Sequence, residues 1–228
     1  MLEQPRIDMY RPIHKALRLL MADTLVEAGR MDCEDVVELH AALDRVDSLL
    51  QACSKHLEHE NAFVHPALDR AEPGASARTA VEHHEHLAAI ALLQRQVRAV
   101  REATPALRQR AADALYDQLA DFVGENFAHM RIEERDNNAR LWAHYDDAGL
   151  IAIHDALVAS IPLAEMTETL KLMLRALTAG ERAGLLGSLR EAMPAEVFEG
   201  LLGELLPVLS SRDRAKLRIA LGEARVAA

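Results

Sequence analysis

The chain has 228 residues, half of them hydrophobic and only 4% aromatic, a composition that can fill a sizeable core but argues against an all-β sandwich or barrel. A formal net charge of −10 argues against a nucleic acid or an anionic membrane surface as the partner. No stretch approaches the ~20 apolar residues of a membrane span, and the first residues lack a signal pattern, so we expect a cytoplasmic protein without membrane association.

Two long helices are predicted in the first third of the chain. The first begins near Pro12, because a proline at the first helical position loses no hydrogen bond, and it ends at Gly29. Asp32 is expected to cap the second helix, which runs from about residue 33 to residue 64. Pro66 then ends or kinks that helix, since its ring collides with the preceding turn.

A third and a fourth long helix follow a loop at residues 72–76. Thr79 and Glu82 have the spacing of a capping box and are expected to open the third helix. Thr104 and Pro105 are expected to open the fourth, as N-cap and first helical residue, and this helix runs to about Trp142. Short connections make neighbouring helices antiparallel, so the fold class is all-α, with an up-down four-helix bundle.

The C-terminal part of the chain keeps a helical period but is interrupted more often. The breaks fall at Pro162, Gly180, Pro194 and Pro207. Thr178 and Glu181 form a further capping box. We find no nucleophile, metal cluster or glycine-rich phosphate loop in this part of the sequence. It therefore predicts a packed bundle of shorter helices, with a homodimer surface as the alternative.

The distribution of histidines is a feature that an ordinary helical protein does not explain. All eleven histidines lie in the first 154 residues. Each of the four long helices carries histidine in its apolar row, in the steps of three and four residues typical of bundle cores. These histidines are His14, His56, His83 with His86, and His129, and Glu60 and Glu133 follow two of them by one turn.

Ionisable side chains in a bundle core are costly unless they are paired or bound to a metal. At least four imidazoles and two carboxylates would meet here, a donor set that suits iron, manganese or zinc better than calcium or magnesium. Six or seven ligands are too many for one tetrahedral zinc, and two carboxylates can bridge two ions, so we predict two iron ions, with manganese or zinc as second choices. The order His-x-x-x-Glu, present twice, differs from the Glu-x-x-His of ferritin-like sites.

Four segments resemble the hemerythrin-like family, also called the HHE cation-binding domain. They are IHKALRLLM around His14, HLEHENAFVHPAL around His56, EHHEHLAAIALL in the third helix and HMRIEE around His129. The resemblance covers roughly residues 10–145. It implies an up-down four-helix bundle with a non-haem di-iron centre bridged by carboxylates or oxide.

The resemblance also implies roles for particular residues. His14 would be the ligand of the first helix. His56 would bind one iron, with Glu60 as a bridge, and His129 would bind iron with Glu133 as the second bridge.

Two departures from the family pattern leave alternatives open. Oxygen carriers have His-x-x-x-His in the third helix, whereas Leu87 follows His83 by one turn here. His83 is our first choice of ligand, and His86 is a further ligand or a group behind the ligands. Oxygen carriers also have an aspartate five residues after the last histidine, where this chain has Glu134, so Glu133 and Glu134 compete as the bridge. Both departures argue against reversible oxygen carriage and leave metal binding intact.

The sequence therefore predicts a metal-binding bundle in residues 1–148 and a helical extension in residues 149–228. The expected function is binding or sensing of dioxygen, nitric oxide or peroxide. One alternative is a di-iron enzyme that consumes peroxide or nitric oxide or aids repair of iron centres, and another is a metal-dependent interaction or sensor module. The remaining histidines are expected to face solvent or to be structural, with His65 at the surface or in a loop.

Overall fold

The computed structural model describes residues 6–222, and the fold is all-α: no strand occurs in that range. The helices are α1 (Arg11–Arg30), α2 (Val36–His59), α3 (His65–Ala71), α4 (Ala77–Glu102), α5 (Pro105–Ile132), α6 (Asn138–His144), α7 (Asp147–Ser160), α8 (Leu163–Ala176), α9 (Ala179–Ala192), α10 (Ala195–Leu205) and α11 (Ser211–Ala220). A single 3₁₀ turn, Leu206–Val208, follows α10. Of the described helices, none alone is long and apolar enough to cross a membrane, although α7 and α8 taken together have such a length and composition.

The chain divides into two compact units after Ser160. In the first unit, α1 packs against α2 and α5, and α4 packs against the same two helices. Each of these four helices therefore has two neighbours, and short connections make consecutive helices antiparallel, as in an up-down four-helix bundle. The boundary between residues 148 and 149 that the sequence suggests stays a prediction about domain organisation.

Two of the long helical segments, residues 36–71 and 105–144, change their geometry in their last third. A π-helical turn, Glu60–Val64, joins α2 to α3, and a second one, Glu133–Asn137, joins α5 to α6. In the first turn the amide of His65 donates to the carbonyl of Glu60, five residues back. Pro66 therefore does not end the helix, because the carbonyl that its ring would displace lies in this widened turn.

Helix ends in the first unit differ in part from those predicted. Asp35, not Asp32, caps α2, because its carboxylate accepts from the amides of Val37 and Glu38. Gly29 lies inside α1, where a Cβ atom would stand 2.7 Å from Cε2 of Tyr116, so this glycine allows close packing and does not end the helix.

The predicted capping box of α4 is wrong. Ser76 is the N-cap residue, and it is held by Asp69, which accepts from both its amide and its hydroxyl. The Thr79 hydroxyl donates to the Ser76 carbonyl inside the first turn. Because α4 begins before Thr79, neither residue is at the helix start; Thr79 is buried, Glu82 is partly exposed, and both have partners in other helices.

The second unit has a core of its own, built from leucines of α8 to α11 around one aromatic side chain. Its buried members are Leu170, Leu174, Leu186, Phe198, Leu202, Leu205, Leu209, Leu217 and Leu221. The capping box of Thr178 and Glu181 is present at the start of α9, as predicted. Arg182 is buried beside it, donates to the Leu174 carbonyl, and pairs with Asp213 at 2.9 Å.

Candidate metal centre

Six histidine and glutamate side chains from four helical segments meet inside the first unit. They are His14 of α1, His56 of α2, Glu60 of the first π-helical turn, His83 of α4, His129 of α5 and Glu133 of the second π-helical turn. All are buried except His56, which is partly exposed. Helices α1 and α4 each supply one of these side chains. The other four come from α2, α5 and the π-helical turns that follow them.

The histidines form two pairs. Nε2 of His14 lies 3.2 Å from Nε2 of His56, and Nε2 of His83 lies 3.1 Å from Nε2 of His129. Two nitrogens bound to one ion at about 2.0–2.1 Å and at a right angle lie about 3 Å apart, so each pair has the spacing of two ligands of one ion.

The two carboxylates lie between the histidine pairs. Glu60 reaches His56 at 3.2 Å through one oxygen and His83 at 3.4 Å through the other. Glu133 reaches His83 at 3.4 Å through one oxygen, and through the other it reaches His129 at 3.2 Å and His14, of the other pair, at 3.5 Å. Within each group of two histidines and two glutamates, one candidate ligand atom per residue can be chosen so that all lie within 4.8 Å of one another. Both groups contain the same two glutamates, which is the arrangement of two bridging carboxylates.

Three carboxylate oxygens at this site are buried and have no hydrogen-bond partner among residues 6–222: Oε2 of Glu60 and both oxygens of Glu133. Buried carboxylate oxygens without a partner are costly, and a metal cation is a partner that removes the cost. Imidazole nitrogen and carboxylate oxygen together suit iron, manganese and zinc. The residues present therefore fit a two-ion metal centre.

Outer partners fix the orientation of three of the four imidazoles. Nδ1 of His14 lies 3.2 Å from Glu134, Nδ1 of His83 lies 2.8 Å from Asn61, and Nδ1 of His129 lies 2.7 Å from Glu82. An acceptor at Nδ1 selects the tautomer that leaves the Nε2 lone pair free for a metal. Glu134 thus lies outside the ligand groups, behind His14, while Glu133 lies between the histidine pairs.

Two of these outer partners are carboxylates, Glu134 and Glu82, and each is paired with an arginine. Glu134 pairs with Arg18 of α1, and Glu82 pairs with Arg78 one turn earlier in α4. Burial alone would raise the pKa of Glu134, but His14 and Arg18 outweigh it and lower this pKa to about 2. Both outer carboxylates are therefore anionic acceptors for ligand histidines.

Without metal, the site binds protons in place of cations. Burial alone would lower the pKa of His14 and of His83, but neighbouring glutamates outweigh it and raise each to about 9. At His56 burial prevails over Glu60 and lowers the pKa to about 4. The pKa of Glu60 is held well below its usual range, because His56, His14 and His83 outweigh the effect of burial. The site thus stabilises positive charge at its centre.

A hydrogen-bonded polar layer lies on one side of the six ligands, formed by Tyr10, His65, Thr79 and Asn137. The amide of Asn137 donates to the hydroxyls of Tyr10 and Thr79, both at 3.4 Å, and Thr79 lies 3.2 Å from Nε2 of His65. The rings of His65 and His83 stack with their centroids 4.6 Å apart. The surface or loop position predicted for His65 is wrong, since the first π-helical turn directs this residue inward, where only 6% of it is exposed.

The layer on the opposite side is mostly apolar. One helical turn from the ligands, α1 contributes Leu17 and α2 contributes Cys53, while α5 contributes Asn126 at one turn and Phe122 at two turns, all buried. The side-chain amide of Asn126 donates to the Phe122 carbonyl. His86 of α4 is the second polar residue of this layer: it is only 4% exposed, and its ring centroid lies 4.8 Å from that of His129. Neither ligand group includes His86, and within the described range its Nδ1 has no hydrogen-bond partner.

The π-helical turns and the inward position of Asn137 were not expected from the sequence. A signal for the first turn exists, since Pro66 cannot follow an ordinary helical turn without distortion. The second turn, in the sequence EERDN, contains no such residue. Both turns begin at a glutamate of the site, and π-helical turns inside α-helices are frequent at functional sites.

A family model described as hemerythrin HHE cation binding domain matches residues 6–141. Those residues contain all six side chains of the two ligand groups. Comparison with curated proteins and with solved structures finds no significant match. The family match and the geometry of the site are therefore two separate findings that agree on a metal-binding bundle.

Proposed function

Because this chain belongs to the hemerythrin HHE cation-binding family, we propose that its bundle holds a non-haem di-iron centre that binds or senses dioxygen, nitric oxide or peroxide. The observation that supports the proposal best is the pair of ligand groups that share Glu60 and Glu133. His14 and His56 would hold one iron, and His83 and His129 the other. Bound iron supplies electrons and vacant coordination positions for a small ligand.

The proposed binding of a small ligand, taken with the number of protein ligands, favours iron over zinc. Each ion would receive two nitrogens and two carboxylate oxygens, which completes a tetrahedral zinc site of the structural kind. An ion that prefers six ligands keeps free positions with the same donors. Manganese shares this preference, so the proposal of iron over manganese is tested by metal content and spectrum.

The protein contributes orientation and exclusion of water. Glu134, Asn61 and Glu82 hold the imidazoles so that Nε2 faces the centre, and such outer partners raise the basicity of a ligand histidine. The hydrogen-bonded layer around Thr79 and the apolar layer around Phe122 close the bundle on both sides of the ligands. A small molecule at the centre is therefore shielded from bulk water.

Metal content of point variants tests the proposal. The full chain is loaded anaerobically with ferrous iron and freed of excess, and about two irons per chain are expected. Glu133→Ala removes a ligand from both groups and should lose both irons, whereas His83→Ala should lose mainly one. His84→Ala, at the exposed neighbour of His83, is the matched control and should load fully. Full loading of Glu133→Ala would contradict the proposal.

A second candidate function is consumption of peroxide or nitric oxide. The free positions that four protein ligands leave on each iron favour it, because a reactive ligand can bind directly to the metal. Rates of peroxide and nitric oxide consumption by the loaded chain are compared with those of the same amount of free iron. Equal rates would exclude the enzymatic function and leave binding or sensing.

A further inference from the structure

The two layers that flank the ligands differ in how their polar groups are satisfied. In the layer around Thr79, the side chains of Tyr10, His65 and Asn137 are all joined through hydrogen bonds. These polar groups already have partners, so this layer offers little to an additional molecule. The layer around Phe122 is different, because apolar side chains dominate it and one buried polar atom in it has no hydrogen-bond partner among the described residues.

That atom is Nδ1 of His86, which is fully buried and lacks a hydrogen-bond partner anywhere in residues 6–222. Buried imidazole nitrogens usually have a partner, so an orphaned one indicates a group that is bound there in use. The ring stands edge-on to His129, with an angle of 89° between the planes, and edge-on to Phe122 at a centroid distance of 6.1 Å. His86 is thus fixed between a ligand histidine and the apolar layer.

Apolar surroundings with few polar groups are characteristic of a site for a small molecule. Leu17, Met21 and Cys53 are buried one or two helical turns from the ligand histidines of their helices. The Asn126 amide at this level already donates to the Phe122 carbonyl, so His86 is the polar group there with an unpaired nitrogen. A buried water needs at least two polar partners, whereas a diatomic or triatomic anion bound at the centre would accept a charge-assisted hydrogen bond from this one imidazole.

We propose that His86 binds no metal and instead donates a hydrogen bond from Nδ1 to the small ligand of the metal centre, on the side of the Phe122 layer. This inference rests on the proposed function and specifies which side of the centre receives the ligand. It also explains why a histidine stands three residues after His83, a position that lies inside the bundle but outside both ligand groups.

Azide is a suitable probe, because it is a stable small anion that binds ferric iron and produces a visible charge-transfer band. The full chain is loaded with iron and oxidised, and azide is titrated against wild type, His86→Leu and His86→Gln. His84→Leu is the matched control, since His84 lies in the same helix but is exposed. Iron content and far-ultraviolet circular dichroism are measured for every variant.

We expect His86→Leu to keep the iron content of wild type, to weaken azide about 10- to 100-fold and to shift the charge-transfer band, because a hydrogen bond to a charged group is lost. His86→Gln keeps a donor and should recover part of the affinity. Unchanged azide affinity in His86→Leu would overturn the inference, and so would loss of one iron, which would make His86 a metal ligand. Failure of wild type to load iron would instead contradict the proposed function.

Discussion

The unfolding free energy of the metal-free protein should fall as the pH rises from 6.5 to 9. His14 and His83 have a pKa of about 9 in the folded chain and an ordinary value near 6.5 when unfolded, because glutamates surround them only in the fold. Between these two values the folded chain binds more protons than the unfolded chain. The stabilisation is therefore complete below pH 6.5 and is lost as the pH rises through 9.

The size of this effect follows from the pKa difference. A group whose pKa rises from 6.5 to 9 contributes about 3 kcal/mol at pH 6.5 and less than about 1 kcal/mol at pH 9, so most of this stabilisation is lost. His14 and His83 share Glu60 and Glu133, so their contributions are not independent. The loss for wild type is expected to be about 3 to 5 kcal/mol.

Urea unfolding with a chelator at pH 6.5, 7.5, 8.3 and 9 measures this loss. Trp142 is the only tryptophan of the chain and lies in the first unit, so its fluorescence reports on the bundle separately from residues 161–228. His14→Gln should show a smaller loss than wild type. His40→Gln, at an exposed position of α2, is the control and should follow wild type.

The metal-loaded protein should behave in the opposite way. Metal displaces the protons from the imidazoles, so affinity for metal, and with it the stability of the loaded bundle, increases with pH over this range. A flat profile for the metal-free wild type, or equal slopes for wild type and His14→Gln, would refute the assignment of the protons to these histidines.

Three further predictions concern packing and helix ends. Gly124→Ala, in open space within α5, should stabilise the bundle by up to about 1 kcal/mol. Gly29→Ala should gain less than Gly124→Ala, because its Cβ would stand 2.7 Å from the ring of Tyr116, which is exposed and has to move aside; chemical denaturation followed by tryptophan fluorescence compares the two. Arg182→Met should destabilise the second unit by about 2 kcal/mol, since it removes contacts of α9 with α8 and α11, and a change below 0.5 kcal/mol in circular dichroism melts would contradict this. Thr178→Ala should cost about 1 kcal/mol in the same melts, and Thr178→Ser should restore most of it.

The arrangement of the four helices was predictable, because it depends on apolar residues that recur at helical spacing over many turns. The apolar rows of the four helices extend over many turns, so the inward positions of His14, His83 and His129 follow from helical period alone. Thr104 with Pro105 and Thr178 with Glu181 are local patterns that meet no competing residue, and both helices start where these patterns indicate.

Helix ends near competing residues were harder to predict. Asp32 and Asp35 are both good caps, and only the fold shows that Asp35 accepts the free amides of α2. Thr79 and Glu82 match a capping pattern, but His65 and His129 in other helices are their partners. Sequence spacing within one helix contains no information about such partners, which come from elsewhere in the bundle.

The π-helical turns have a consequence for the pattern of mutational tolerance along the chain. Each turn contains one residue more than an α-helical turn, which rotates the helix that follows by about 100°. The face that points inward before Glu60 is thus not the face that points inward after Val64, and the same holds across Glu133–Asn137. A scan of single substitutions should therefore find sensitive positions every three or four residues on both sides of each π-helical turn. The two series should be out of phase by one residue, and the shift should fall in the turn, at the metal centre. Deletion of one residue from the second turn would restore a continuous α-helix and rotate Asn137 out of the polar layer. In the first turn the same deletion would rotate His65 away and leave Pro66 after an ordinary helical turn, which its ring would kink.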